Sequence, residues 1–203
     1  MAVLLLWEDE NGREMMEQTL IAAVGDRQGD YGRAGETFLE LQATFVPKVP
    51  KLSLNKTNFG FLAVRMAKSV SAHFGGGKII NAHAAVDEPA IFGKASPWMD
   101  YSGPVVAGAI EGVTYFDHPA NASYPSKWHV RKDGWMGASV CRDAARQVPR
   151  EQPLVLRYLL HLHAGALDAA TASNIAAHFG HTAPYELAPV KLSHQRYEIR
   201  RAG

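Results

Sequence analysis

The sequence has little to crosslink, almost no net charge and no long apolar run. Cys141 is its only cysteine, which excludes an intrachain disulfide and any CxxC zinc or redox site. Lysine and arginine number 21 against 20 aspartates and glutamates, a formal net charge of +1. No general affinity for nucleic acid or for an anionic membrane surface is expected from that balance. No window approaches the ~18–20 apolar residues that a membrane helix requires, so the chain reads as soluble. The opening "MAVLLLWEDENG" carries neither a basic n-region nor a small-residue cleavage site and reads as strand rather than signal segment. Cellular location stays open. Zincin HExxH and nucleophile-elbow GxSxG motifs are also missing. "GGGK", Gly75 to Lys78, lacks phosphate-loop spacing and runs into "IINAH", so it reads as a hairpin turn. No cofactor is expected.

What is present points to strands. The 203 residues suit a single domain spanning 1–203, and 47% hydrophobic content is enough for a core. Between Glu36 and Pro47, Leu39, Leu41, Ala43 and Phe45 alternate with Glu40, Gln42 and Thr44, the period of a half-buried strand. "KLSLNK" and "NFGFLAVRMAKSV" continue in the same manner. Turns are expected at Gly25-Asp26, Gly75 to Gly77, Ser102-Gly103-Pro104 and Asp133-Gly134. One helix is predicted, Leu167 to Phe179, with Asp168 as its cap and Gly180 as its stop. The basic tail "HQRYEIRRAG" reads as a last edge strand. The fold class expected is all-β, an antiparallel β-sandwich with one short helix near the C-terminus.

Polar chemistry concentrates in "FDHPANASYPSKWHVR", Phe116 to Arg131. His118 precedes Pro119 and is biased to extended backbone, placing it at a strand end. Asp117 and Asn121 either serve a site there or cap the turn. In "KWHVR" the pleat sends Lys127, His129 and Arg131 to one face and Trp128 and Val130 to the other. A hairpin would bring His118, His129 and Arg131 into one pocket, with a histidine to move protons and Arg131 to hold an oxyanion. Trp98 and Trp128 could supply apolar rings. In "PLVLRYLLHLH", Arg157, His161 and His163 share a face. The His161-His163 pair could ligate a metal if His118 or His129 joined it.

The ordered blocks "FGFLAVR", "GGGKIINAH", "FGKASPWMDYSGPV", "GVTYFDHPANASYPSKWHVRKDG" and "LRYLLHLHAG" span Phe59 to Gly165. They resemble the soluble bacterial PmoA-like family, also named methane oxygenase PmoA. The name is a label rather than an activity, because the membrane-bound methane-oxidising subunit has transmembrane segments and this sequence has none. The resemblance implies a large sandwich in the style of the sugar mutarotases, from bacteria that degrade polysaccharides. Family-patterned positions are Arg65, Asn81, Glu88, Lys94, Trp98, Asp100, Tyr101, Asp117, His118, Asn121, Trp128, His129, Arg131 and His163. After Gly134 the family tends towards an "NPFG"-like stretch, where this chain has "WMGASVCRDAARQ". Family members are usually longer at the N-terminus, so a truncated sandwich is expected, with "AVLLLW" as an uncovered edge that a homodimer could close.

Three functions follow as expectations. One is a carbohydrate-active enzyme. In it His118 and His129 transfer protons, Asp117 or Glu88 orients a histidine or acts as the base, and Arg131 and Arg65 bind oxygen. Glu88, Lys94, Asn121 and His163 line the ligand, and Trp98 and Trp128 stack on the sugar. The second is a sandwich that binds a saccharide or another small molecule without catalysis. The third is a metal-dependent oxygenase built on the histidines.

Overall fold

The computed structural model describes residues 1–25 and 34–203. Its strands, in chain order, open with β1 (Ala2–Glu8), β2 (Glu14–Gly25), β3 (Thr37–Pro47), β4 (Lys51–Leu54), β5 (Ala63–Arg65) and β6 (Lys78–Asn81). The short helix α1 (Asp87–Ile91) follows, then β7 (Trp98–Val106), β8 (Ala109–Asp117), β9 (Lys127–Arg131), β10 (Trp135–Ser139), β11 (Arg146–Pro149) and β12 (Leu154–Ala164). Helix α2 (Ala169–Gly180), β13 (Tyr185–Leu192) and β14 (Gln195–Arg201) complete the chain. Every strand pairing is antiparallel. The architecture is a sandwich-like all-β fold with a helix near the C-terminus, as the alternation and turn residues indicate.

A seven-stranded sheet, in the order β1-β2-β3-β12-β8-β7-β6, forms the main layer. One face carries Met99, Tyr101, Tyr115, Tyr158 and Leu156, which pack on Trp128, Val130, Met136 and Ala138 of the three-stranded sheet β5-β10-β9. The other face carries Phe38, Trp98, Phe116 and Leu159, which pack on Ala172, Ile175 and Phe179 of α2. Each face is therefore covered by a different partner. β3 shows the consequence: its expected polar face is buried too, with Glu40 only 1% exposed and Gln42 5%. The Gln42 side chain donates to Tyr185 O and accepts from Tyr185 N, both at 2.8 Å, pairing like backbone with the β13–β14 hairpin.

Helix α2 starts where expected, Asp168 accepting from the N–H groups of Ala170 and Thr171. The five-residue helix α1 has no amphipathic period long enough to be read from sequence. The expected Ser102-Gly103-Pro104 turn is instead interior strand of β7. Gly103 serves close packing there, since a Cβ would lie 2.6 Å from Val70 O. Asp133-Gly134 does turn the chain, with Gly134 at φ 106°, and sets Trp135 opposite Arg131. Of the expected Gly25-Asp26 turn, Gly25 is the last residue of β2 and Asp26 lies outside the described residues. Among the described residues β14 pairs only with β13, and β1 only with β2, leaving Leu4 60% exposed on an apolar edge. Among the described residues no helix is long and apolar enough to cross a membrane.

Candidate functional site

The pleat of β9 buries Trp128 and Val130 against the main sheet and turns His129 and Arg131 to the outer face of the small sheet. Register then fills that face. Trp135 lies opposite Arg131, and Arg65 opposite Trp135. Phe59 stacks on His129 with centroids 4.8 Å apart, and Trp135 meets Phe59 edge-on at 6.4 Å. Phe92, just after α1, closes the other side of the His129 ring at 5.3 Å. Arg65 lies 5.5 Å over Trp135 and Arg131 4.8 Å over Phe92. Phe59 is 57% exposed and Trp135 partly exposed, while His129 beneath them is only 5% exposed, so Phe59 and Trp135 form the open part of the platform, with cations at its rim.

Beside the platform is a cleft of about 730 Å³, bordered by His73, Asp87, Glu88, Phe92, Arg131 and Lys132. Glu88 fixes its wall: Oε1 accepts from Arg131 at 2.7 Å and Oε2 from the Lys132 N–H at 2.7 Å. Burial pushes the Glu88 carboxyl up, but those two bonds outweigh it and hold the group below the usual range. Tyr101 reaches through from the main sheet, donating to Lys132 O and accepting from Ala72 N, both at 2.8 Å. Burial and the adjacent Arg131 lower the His129 pKa, so its imidazole is neutral near pH 7.

His118 does not join His129 and Arg131. It leaves β8 on the face covered by α2, with Phe179 edge-on at 4.7 Å, so both sheets separate it from the platform. Its Nδ1 accepts from Ala120 N and its Nε2 lies 2.9 Å from Arg157 Nη1. Burial, then the Arg157 charge, push its pKa down to about 4. Arg157 also donates to Glu40 at 2.9 Å, and Arg201 of β14 donates to the same carboxylate at 2.8 Å. This buried ion cluster ties the C-terminal hairpin to the main sheet.

Asp117 and Asn121 cap the turn. Asp117 accepts from Asn121 Nδ2 at 2.7 Å and Ser126 N at 2.8 Å, while Asn121 accepts from Arg157 N at 2.7 Å. Burial raises the Asp117 pKa. Trp98 and Trp128 are core, 2% and 0% exposed, and cannot stack on a ligand. Their rings fill the two faces of the main sheet, one under α2 and one under the small sheet. Lys94 is exposed, and its carbonyl accepts from Trp128 N. His163 is buried on the α2 face with Nε2 2.8 Å from Asp100 Oδ1, and His161 stacks on Phe38 beside it. Burial opposes the charged form of His163, yet the Asp100 carboxylate raises its pKa overall. Neither His118 nor His129 reaches this pair, and among the described residues no three His, Cys, Asp or Glu side chains are grouped to hold a metal ion.

Phe59, Phe92, Trp135 and Arg142 are site residues that the sequence reading leaves out. Trp135 had a usable signal: a three-residue loop with glycine in its last position sets the next residue opposite Arg131. Comparison with curated proteins and with solved structures gives no significant match. The family model described as "Family of unknown function (DUF6807)" matches residues 1–177, covering the platform, the cleft and the main sheet but not the β13–β14 hairpin. The chain belongs to the DUF6807 family.

Proposed function

We propose that this protein is a carbohydrate-binding β-sandwich that holds a saccharide against the outer face of β5-β10-β9. The observation that carries the reading is the contiguous Phe59–His129–Trp135 ring group, flanked by Arg65 and Arg131 beside a 730 Å³ cleft. A sugar ring offers an apolar C–H face for such rings and a rim of hydroxyls for guanidinium donors. The resemblance to the PmoA-like family, with its implied polysaccharide setting, points the same way.

Binding without turnover fits the carboxylates at hand. Glycoside hydrolysis ordinarily uses two carboxyl groups ~5–10 Å apart across the bond. At the cleft both Glu88 oxygens are engaged, and among the described residues Asp87 alone lacks an ion-pair partner there. Asp133 pairs with Arg65 at 3.3 Å, and Asp117 is sealed behind the small sheet. The test is a panel of neutral and acidic oligosaccharides titrated into the protein and into Trp135→Ala and Phe59→Ala. At least one sugar should bind, and both variants should weaken it. Retained binding in both variants, or cleavage of any oligomer, would contradict the proposal.

A further inference from the structure

A second guanidinium lies against Phe92. Arg142 lies 4.5 Å from the ring centroid, as Arg131 does at 4.8 Å; Arg131 borders the 730 Å³ cleft and Arg142 borders another. That second cleft holds about 470 Å³ and is bordered by Arg142, Arg146, Lys127, Ser123, Ser139 and Gln147. Its charge is unbalanced. Among the described residues Asp143 is the one carboxylate at its edge, and it is paired with Lys127 at 2.8 Å, both side chains well exposed. Arg146 spends one N–H on Ala122 O at 3.2 Å. Arg142 has no carboxylate within 4 Å among the described residues, and its buried Nη1 meets no acceptor. With a whole-chain charge of only +1, this positive excess is local.

A guanidinium is fixed in charge and shaped for two parallel bonds to a planar or tetrahedral oxyanion. Gly93 makes room for this arginine: a Cβ there would come within 2.5 Å of Arg142 Nη2. The arginine is therefore positioned by the fold rather than left to sweep through solvent.

We propose that the Arg142–Arg146 cleft is an anion subsite, taking the carboxylate of a uronic acid or a sulfate ester on the saccharide held by the neighbouring platform. This rests on the carbohydrate reading for the rest of the ligand but has its own test. Calorimetric titration would compare a galacturonic acid trimer with its methyl ester, and a sulfated galactose trimer with the unsulfated one. Each anionic trimer that fits should bind at least about tenfold more tightly than its neutral counterpart, as one charge-assisted bond to a partly buried arginine implies. Preference for one anionic trimer over the other names the source of the oxyanion. Arg142→Gln should remove that preference, read as the ratio of charged to neutral affinity. Arg146→Gln, at a partly exposed strand residue, should reduce it even if the first variant folds poorly.

Equal affinity for charged and neutral trimers, or an undiminished preference in both variants, would overturn the anion subsite while leaving the carbohydrate reading intact. If no trimer binds, the carbohydrate reading fails and inorganic sulfate decides the subsite. Shifts of the Arg142 side-chain N–H resonances on adding millimolar sulfate, absent with chloride, would sustain it. Unchanged resonances would overturn it.

Discussion

The guanidinium of Arg142 covers the α-carbon of Gly93: a Cβ built there would lie 2.5 Å from Nη2 and 2.9 Å from Cζ. Gly93 also sits at φ 75°, where a side chain is disfavoured. Gly93→Ala should thus lose about 1–2 kcal/mol of stability from backbone strain and displace the arginine. Urea unfolding measures the first effect. A variant as stable as the parent would show that this segment adapts freely.

Glu40 is the hub of the ion cluster behind the main sheet, 1% exposed and bonded to both Arg157 and Arg201. Burial raises its carboxyl pKa, but the two arginines outweigh that and hold it below the usual range. Glu40→Gln leaves the buried Arg157 without its counter-charge and should cost about 3–5 kcal/mol. Arg201→Gln, at a side chain 28% exposed, should cost less because water can reach what remains. Unfolding free energies of the two variants in the reverse order would contradict this assignment.

The His118 pKa, pushed to about 4 by burial and then by Arg157, makes stability depend on pH. Between pH 6.5 and 4 the unfolded chain binds a proton that the native His118 refuses, so acid favours unfolding. The loss across that window is on the order of 3 kcal/mol. His129 and His161, also lowered by burial, act in the same direction, while His163, raised by Asp100, opposes them. His118→Gln should flatten the slope in urea titrations at pH 7 and pH 5. An unchanged slope would remove His118 from the explanation.

The tryptophans separate core from site. Trp128→Ala empties a fully buried space and should cost about 3–5 kcal/mol. Trp135→Ala, on the partly open outer face, should cost much less and act on ligand binding instead. Thermal melts together with the oligosaccharide panel distinguish the two. A Trp135→Ala protein as destabilised as Trp128→Ala would make the platform part of the core.

Several of these relationships are legible from sequence because they are local. The alternation in β3 and β12, the faces of "KWHVR" and the Asp168 cap each depend on spacing within a few residues. What covers a strand face is not local. Trp98 and Trp128 look like ring platforms until α2 and the small sheet are seen to lie on them, and Glu40 looks solvent-facing until β14 delivers Arg201. His118 and His129 are close in sequence, yet β8 belongs to one sheet and β9 to the other, which sends their side chains to opposite sides of the sandwich. Arg65, Glu88, His129 and Arg131 do converge around the platform and its cleft. The rings that complete the group, Phe59, Phe92 and Trp135, come from segments whose facing depends on the assembled small sheet.

A saccharide held on Phe59 and Trp135, with His129 buried beneath Phe59, must lie against the Trp135 indole. Indole N–H resonances of the nitrogen-15-labelled protein test it most directly, titrated with the neutral and acidic trimers. The Trp135 signal should shift with at least one trimer while the buried Trp98 and Trp128 signals stay in place. A Trp135 signal that no trimer moves, or shifts confined to residues around His118 and Arg157, would contradict it.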